Sequence, residues 1–294
     1  ADQTMGDHID CVGQLSVRVP TRYGSRQAKL GYRRIGDPDS REKVLLVHGI
    51  GLQRATWAGQ LDMAKVADTV AIDMLGFGDS TLPRGADCTV PGQAYAMMAA
   101  LDALAWNQVT LCGYSMGGAV SLGVALAQPR RVGRLVLVAG AALPQPIPIS
   151  FRLLDLPLAA EALWLASNVA LRSGLGRLLA PYWSLNEDTG MRMVAAQCRL
   201  GHDRCFVRAA RDLRPERYSA WAKRFPALRM PALLLHGTAD AMVPVDVSRR
   251  MAKLLPCAQL VEFPGQSHLM HELPDNRVGQ RITEFIQSTR PGAS

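Results

Sequence analysis

The stretch Gly113-Tyr114-Ser115-Met116-Gly117-Gly118 places a reactive side chain at a sharp turn. It follows the apolar run 109–112 and precedes the apolar segment 119–126, so the sequence predicts a strand, a tight turn and a helix. A side chain at this helix N-terminus lies beside backbone N–H groups, which favour developing negative charge. We therefore predict that Ser115 is a nucleophile, and a serine hydroxyl needs an adjacent base because it is a weak nucleophile alone.

A histidine is the side chain that supplies a base near neutral pH. The loop after the last predicted strand reaches the carboxyl edge of a parallel sheet, where the serine also emerges. Two of the six histidines lie in this loop, His268 and His271. His268 is nearer the strand end and is the predicted base, with His271 as the alternative and two structural histidines as the remaining possibility. His48 and His236 each end a predicted strand before a glycine, and we interpret both as turn residues.

An acid that orients the histidine should come from the same edge of the sheet. Asp240 directly follows a predicted strand in the segment His236-Gly237-Thr238-Ala239-Asp240 and is the predicted acid. Asp246 is the rival, although the helical pattern after it also suits a helix N-cap. The resulting chain order of serine, aspartate and histidine matches the order expected for a nucleophile on a strand–turn–helix.

An oxyanion formed at the serine needs two preorganised donors. The N–H of Met116, first in the helix after the serine, is one candidate. The loop after the strand 43–48 supplies the other, for which we choose Ile50 and, after it, Gly51. Gly49 and Gly51 are also predicted to border the substrate, because glycine allows the backbone to approach a ligand closely.

Short β-like runs alternate with helix-length segments, which is typical of an α/β sheet. The first two runs suggest a hairpin, and the apolar, β-branched runs after them suggest strands buried on both faces. The predicted strands are 12–19, 28–35, 43–48, 69–73, 109–113, 134–139, 232–236 and 259–263. The predicted helices are 94–105, 115–128, 247–255 and 277–288.

This alternation breaks at 143–148, where three prolines exclude a helix interior or a central strand. A helical pattern then extends from about 150 to 225. We therefore predict a core formed by 1–143 and 227–294, with a helical lid inserted at 144–226. The large apolar residues of the lid are expected to roof the substrate site, although the lid's own core is the alternative place for them. They are Trp164, Leu165, Leu171, Leu178, Leu179, Tyr182 and Trp183.

Composition excludes several classes of protein. The 294 residues carry a formal net charge of +8, but no basic block is interleaved with aromatic residues, so we expect no nucleic-acid partner. No apolar run approaches the roughly 18 to 20 residues that a membrane span needs. The six cysteines form no C-x-x-C pair, so a metal site is not expected. A cytoplasmic, reducing location is expected, and a disulfide stays open as the alternative for the cysteines. A secreted or periplasmic location also stays open because the sequence starts at Ala1 rather than Met.

With these marks in place, the chain resembles the α/β-hydrolase superfamily, specifically its lidded group of esterases, lactonases, cofactor-free haloperoxidases and carbon–carbon bond hydrolases. The resemblance rests on the Ser115 turn, Asp240, His268, His48-Gly49-Ile50-Gly51 and Asp73-Met74-Leu75-Gly76-Phe77-Gly78-Asp79-Ser80. It implies an α/β-hydrolase fold, a mostly parallel sheet flanked by helices with an inserted helical cap. It also implies chemistry that needs no metal or organic cofactor, and a structural turn at 73–80.

Three departures narrow the class within this resemblance. Haloalkane dehalogenases and epoxide hydrolases of this fold have aspartate where Ser115 stands. Carbon–carbon bond hydrolases usually carry tryptophan after the histidine, where this chain has Leu269. Prolyl aminopeptidases have tryptophan after the serine, whereas Met116 is common among esterases and haloperoxidase-like members.

The sequence therefore predicts a serine hydrolase that cleaves carboxylic esters, thioesters or lactones with an apolar acyl or alcohol part. Its partner would be a small, apolar, ester-like substrate that touches Leu269, Trp164, Leu165, Tyr182 and Trp183, and the protein would be a monomer or homodimer. The alternatives are a carbon–carbon bond hydrolase or perhydrolase of the same fold. From another class, a ligand-binding or non-hydrolytic biosynthetic protein also stays open, because fold does not fix function.

Overall fold

In this computed structural model, the structure describes residues 9–146, 202–213, 215–273, 275, 277–289 and 291. Its strands are β1 (Ile9–Thr21), β2 (Gly24–Gly36), β3 (Lys43–Val47), β4 (Asp68–Ile72), β5 (Val109–Tyr114), β6 (Val132–Val138), β7 (Ala232–Gly237) and β8 (Ala258–Phe263). They form one sheet in the order β1-β2-β4-β3-β5-β6-β7-β8. The β1–β2 and β2–β4 pairs are antiparallel and all other pairs are parallel, which confirms the predicted hairpin and the mostly parallel sheet.

The described helices are α1 (Val90–Ala103), α2 (Met116–Ala127), α3 (His202–Asp212), α4 (Pro215–Ala222), α5 (Asp246–Leu254) and α6 (Arg277–Ser288). The central strands are buried on both faces, and alternate residues belong to two hydrophobic clusters. On β3, Leu45 and Val47 pack with α1, α2 and α5, whereas Val44 and Leu46 pack with α6. Helices thus cover both faces of the sheet, as an α/β-hydrolase fold requires.

Helix α1 differs from its prediction at both ends. It begins at Val90 rather than residue 94, because Pro91 suits the first turn and the Val90 N–H donates to the Asp212 carboxylate at 3.0 Å. It ends before Ala105, whose φ of +56° leaves the helical region. The alanine-rich pattern predicts the helix itself, but it does not indicate that Asp212 in α3 accepts a hydrogen bond from its first residue.

The end of the predicted insertion packs against the core. In α3, the Cys205 thiol donates to the Leu75 carbonyl oxygen at 3.2 Å, and Trp221 in α4 lies against Gly123 of α2. These helices therefore extend the hydrophobic cluster on the α1–α2 face of the sheet. The lid boundaries at 144 and 226 stay a prediction.

The described helices include none with both the length and the apolar composition that crossing a bilayer demands. Five cysteines lie in the described part of the chain, and all five carry free thiols: Cys11, Cys88, Cys112, Cys205 and Cys257.

Candidate active site

Ser115 lies at the turn between β5 and α2, in a backbone conformation that non-glycine residues seldom adopt. Its φ is +52° and its ψ is −118°. Such a conformation costs of order 1–3 kcal/mol and persists only where its surroundings fix it. Here the Ser115 N–H donates to the Val138 carbonyl oxygen at 2.9 Å, and its own carbonyl oxygen accepts from Gly118 and Ala141 at 2.9 and 3.1 Å. The turn is thus bound to the carboxyl end of β6.

Two glycines make this turn sterically possible. A Cβ atom on Gly113 would overlap the carbonyl oxygen of Gly117, and a Cβ on Gly117 would overlap the carbonyl oxygen of Val47. Helix α2 therefore lies closer to β5 at Gly113, and closer to β3 at Gly117, than a residue with a side chain would allow. The glycine pattern that drew attention to the serine has this close packing as its physical cause.

His268 lies in the loop after β8 and faces the serine. Its Nε2 is 3.0 Å from the Ser115 Oγ, and its Nδ1 is 2.6 Å from Oδ2 of Asp240. Because Nδ1 faces a carboxylate, it carries the ring hydrogen, which leaves Nε2 to accept the serine hydroxyl proton. The structure brings together the three residues predicted from sequence, each at the carboxyl end of its strand.

The Asp240 carboxylate is fully buried and receives four hydrogen-bond donors. Oδ1 accepts from the Met242 and Val243 N–H groups, both at 2.8 Å. Oδ2 accepts from His268 and lies 3.2 Å from Nε2 of His236. Burial alone raises the pKa of Asp240, but the hydrogen bonds from the two histidines outweigh burial and hold this pKa well below its ordinary range. The carboxylate therefore stays ionised beside His268.

The alternative residues for base and acid lie elsewhere. His271 is fully buried, with Nε2 2.8 Å from the Thr56 Oγ1. Asp246 is the first residue of α5 rather than its N-cap, and its carboxylate pairs with Arg250 at 2.8 Å on the exposed side of that helix.

The other two strand-end histidines are buried rather than simple turn residues. His48 Nε2 accepts from the Met74 N–H at 2.9 Å, so the ring connects β3 to the 73–80 turn. Burial lowers the pKa of His48, which favours its neutral form. His236 contacts the Asp240 carboxylate at 3.2 Å, a contact that the sequence did not predict. The four-residue spacing of the two side chains was its only sequence signal.

The predicted oxyanion donors flank the serine. Met116 is the first residue of α2, so its N–H has no acceptor one turn earlier within the helix. Ile50 lies in the turn after β3, which the Leu52 N–H closes by donating to the Gly49 carbonyl oxygen at 3.3 Å. A Cβ on Gly49 would lie 3.2 Å from the Ser115 Cβ, so this turn passes directly beside the serine.

Of the predicted substrate contacts, Gly49 and Gly51 lie in the turn beside the serine, and Gly51 has a φ of +72°. Leu269 is half-buried and packs against the hydrophobic cluster on the α6 face of the sheet. The seven apolar lid residues named from sequence lie outside the described residues.

The chain is similar in sequence and in fold to several known proteins. The sequence profile of the alpha/beta hydrolase family matches residues 44–280. An uncharacterized protein of Mycobacterium tuberculosis is 29% identical over 279 residues, covering 89% of this chain and 80% of that protein. The 2-hydroxy-6-oxo-2,4-heptadienoate hydrolase of Pseudomonas putida is 28% identical over 247 residues, covering 80% and 84% of the two chains.

Among solved structures, a thermophilic esterase from Thermogutta terrifontis superposes with a TM-score of 0.73. It is 23% identical, and the match covers 94% of this chain and 98% of the esterase. This likeness shows a shared fold. The profile match over most of the chain, together with the sheet order and the serine turn, places the chain in the α/β-hydrolase family.

Proposed function

We propose that this hydrolase cleaves carboxylic esters, thioesters or lactones included, through an acyl-enzyme on Ser115. The observation that carries the proposal is the hydrogen-bonded chain from the Ser115 Oγ through His268 to Asp240, with distances of 3.0 and 2.6 Å. A nucleophile, a base within reach and a group that orients the base are together the requirements of acyl transfer by a serine.

The reaction follows from the direction of these hydrogen bonds. Ser115 Oγ attacks the substrate carbonyl carbon while Nε2 of His268 accepts the hydroxyl proton. The carbonyl oxygen becomes an oxyanion and is held by the N–H groups of Ile50 and Met116. His268 then returns its proton to the leaving alcohol, and a water activated by the same nitrogen hydrolyses the acyl-enzyme.

Asp240 stabilises the imidazolium that forms at each proton transfer. Its lowered pKa keeps it negative, so it opposes the positive charge on His268 without taking the proton itself. Two backbone N–H groups donate to Oδ1 and hold that end of the carboxylate in the loop after β7.

Cleavage of a carbon–carbon bond is the second candidate. It is favoured by the 28% identical hydrolase of Pseudomonas putida, whose name specifies 2-hydroxy-6-oxo-2,4-heptadienoate. The same serine and histidine could serve either bond, so the residues that contact the scissile group must select between them. Leu269, which follows His268 in place of a tryptophan, supports the ester.

Two measurements test the proposal. A fluorophosphonate probe should label wild-type Ser115, while Ser115→Ala should remain unlabelled and lose turnover of p-nitrophenyl esters. A panel of esters, thioesters, lactones and vinylogous diketones then identifies the bond. Diketone cleavage without ester cleavage would replace the ester by the carbon–carbon candidate, and undiminished turnover by Ser115→Ala would refute the serine nucleophile.

Matched variants test the acid. Asp240→Asn should lower kcat by about 10³- to 10⁴-fold, because an uncharged partner no longer fixes the tautomer of His268 or opposes its charge. Asp246→Asn is the control: its carboxylate is exposed and pairs with Arg250, away from His268, so the activity of this variant should equal wild type. Equal effects of the two substitutions would contradict the assignment of Asp240.

A further inference from the structure

His236 is a fully buried imidazole directly behind the Asp240 carboxylate. It is the penultimate residue of β7, and its ring lies between the loop that carries Asp240 and the first turn of α5. Nδ1 is 2.7 Å from the Ser248 Oγ on α5. Nε2 is 2.8 Å from the Val243 carbonyl oxygen and 3.2 Å from Oδ2 of Asp240.

These contacts determine which nitrogen carries a hydrogen. Nε2 faces two oxygens that only accept, so this nitrogen must be the donor. The Ser248 hydroxyl at Nδ1 can donate to the ring. A single N–H of His236 is thus shared between the Val243 carbonyl oxygen and the Asp240 carboxylate.

The two oxygens of Asp240 differ in how they are held. Oδ1 accepts from two backbone N–H groups, and the loop therefore fixes that end of the carboxylate. Within the described residues, Oδ2, the oxygen that faces His268, has His236 Nε2 as its second hydrogen-bond donor. With only Oδ1 anchored, the carboxylate could turn about that end and carry Oδ2 out of line with Nδ1 of His268.

We propose that His236 is a positioning residue: its Nε2–H holds Oδ2 of Asp240 in line with Nδ1 of His268. The inference rests on the proposed role of Ser115, His268 and Asp240 but not on the identity of the substrate. Hydrogen bonds to ionised groups in buried sites are among the strongest in proteins, and a geometric error at a catalytic group is costly.

The test exploits two amides of different length. In His236→Gln the amide nitrogen can occupy the position of Nε2, so the donor to Asp240 is kept. In His236→Asn the amide nitrogen reaches only the position of Nδ1, near Ser248, and Oδ2 loses the donor from residue 236 while it keeps His268. We expect fluorophosphonate labelling of Ser115 to stay within about threefold of wild type in the Gln variant and to fall about 10- to 100-fold in the Asn variant.

A spectroscopic signature separates positioning from packing. The low-field ¹H resonance of the hydrogen between His268 Nδ1 and Asp240 should persist in wild type and His236→Gln, and should broaden or move upfield in folded His236→Asn. Equal labelling rates in the two variants would overturn the proposal, because both would then report only the loss of the imidazole. An unchanged low-field resonance in the Asn variant would overturn it as well.

The wild-type protein provides a test that needs no variant to fold. In ¹⁵N-histidine-labelled protein, His236 should carry a hydrogen on Nε2, and an unprotonated Nε2 would overturn the proposal. Labelling and both NMR readouts are independent of turnover. A protein that labels normally but cleaves no ester would therefore contradict the proposed substrate and leave the role of His236 supported.

Discussion

The buried His271 predicts a specific loss of stability in acid. Its ring lies against Tyr114 and Trp57, with centroid separations of 3.9 and 5.3 Å. The Thr56 hydroxyl donates to Glu272, so the Thr56 oxygen accepts the hydrogen on His271 Nε2. Within the described residues, His271 Nδ1 is buried without a hydrogen-bond partner. Protonation of Nδ1 would thus bury an N–H with no acceptor.

Burial, and then the charge on nearby His268, lower the pKa of His271 from 6.5 to about 3. In the unfolded chain the same histidine binds a proton below its ordinary pKa of about 6.5. Between pH 6.5 and 3, the unfolded state therefore binds one more proton at this histidine than the folded state does. The free energy of unfolding consequently decreases as the pH is lowered through that window. At 1.36 kcal/mol per pH unit, His271 removes about 2 kcal/mol between pH 7.5 and 5.0.

His271→Gln is the matched variant, because its amide can still donate to Thr56 but does not titrate. Urea unfolding at pH 7.5 gives the packing cost of the substitution, and the same measurement at pH 5.0 gives the proton-linked part. Wild type should lose about 2 kcal/mol more than the variant between the two pH values. Equal pH dependence in both proteins would refute the inference that His271 is neutral in the fold.

Two further substitutions test the packing that supports the site. Gly117→Ala should lower the free energy of urea unfolding by about 1–3 kcal/mol, because the new Cβ would overlap the Val47 carbonyl oxygen. The same variant should be labelled by fluorophosphonate more slowly, and labelling at the wild-type rate would contradict this steric account. Arg134→Met should cost about 1–3 kcal/mol, because the buried guanidinium pairs with Glu42 at 2.6 Å and donates to the buried Ile286 carbonyl oxygen at 3.1 Å. The exposed Arg281→Met is its control, expected to change stability by less than about 1 kcal/mol, and equal losses would refute the argument.

The sequence predicted most of the sheet because its central strands are encoded locally. Strands β3 to β7 are short, apolar and rich in branched residues, and burial on both faces requires that composition. The serine turn was equally visible, since Gly113 and Gly117 are fixed by contacts within a few residues of Ser115 and with β3. Such patterns can be identified in a single sequence because the contacts that require each residue type are made mostly by its neighbours in the chain.

The features that sequence did not predict depend on distant or three-dimensional contacts. Helix α1 starts at Val90 because of Asp212, which is 122 residues further along the chain. The contact of His236 with Asp240 arises from the folded loop between them, which turns both side chains toward the same space. His271 is a plausible second base in the sequence, but in the fold its Nε2 contacts Thr56, which lies 215 residues earlier in the chain.

The residues proposed to move the proton differ from those that would select the substrate, so substitutions at the two sets should have different kinetic effects. In the proposed mechanism, Ser115 is the nucleophile and His268, oriented by Asp240, moves the proton, and both steps would be the same for an ester and for a carbon–carbon substrate. Substitutions there should lower turnover of every accepted substrate by a similar factor. Leu269 follows the proposed base and has no group that can transfer a proton. A substitution at Leu269 should therefore change the ratio of kcat/KM between an ester and a carbon–carbon substrate rather than lower both values equally.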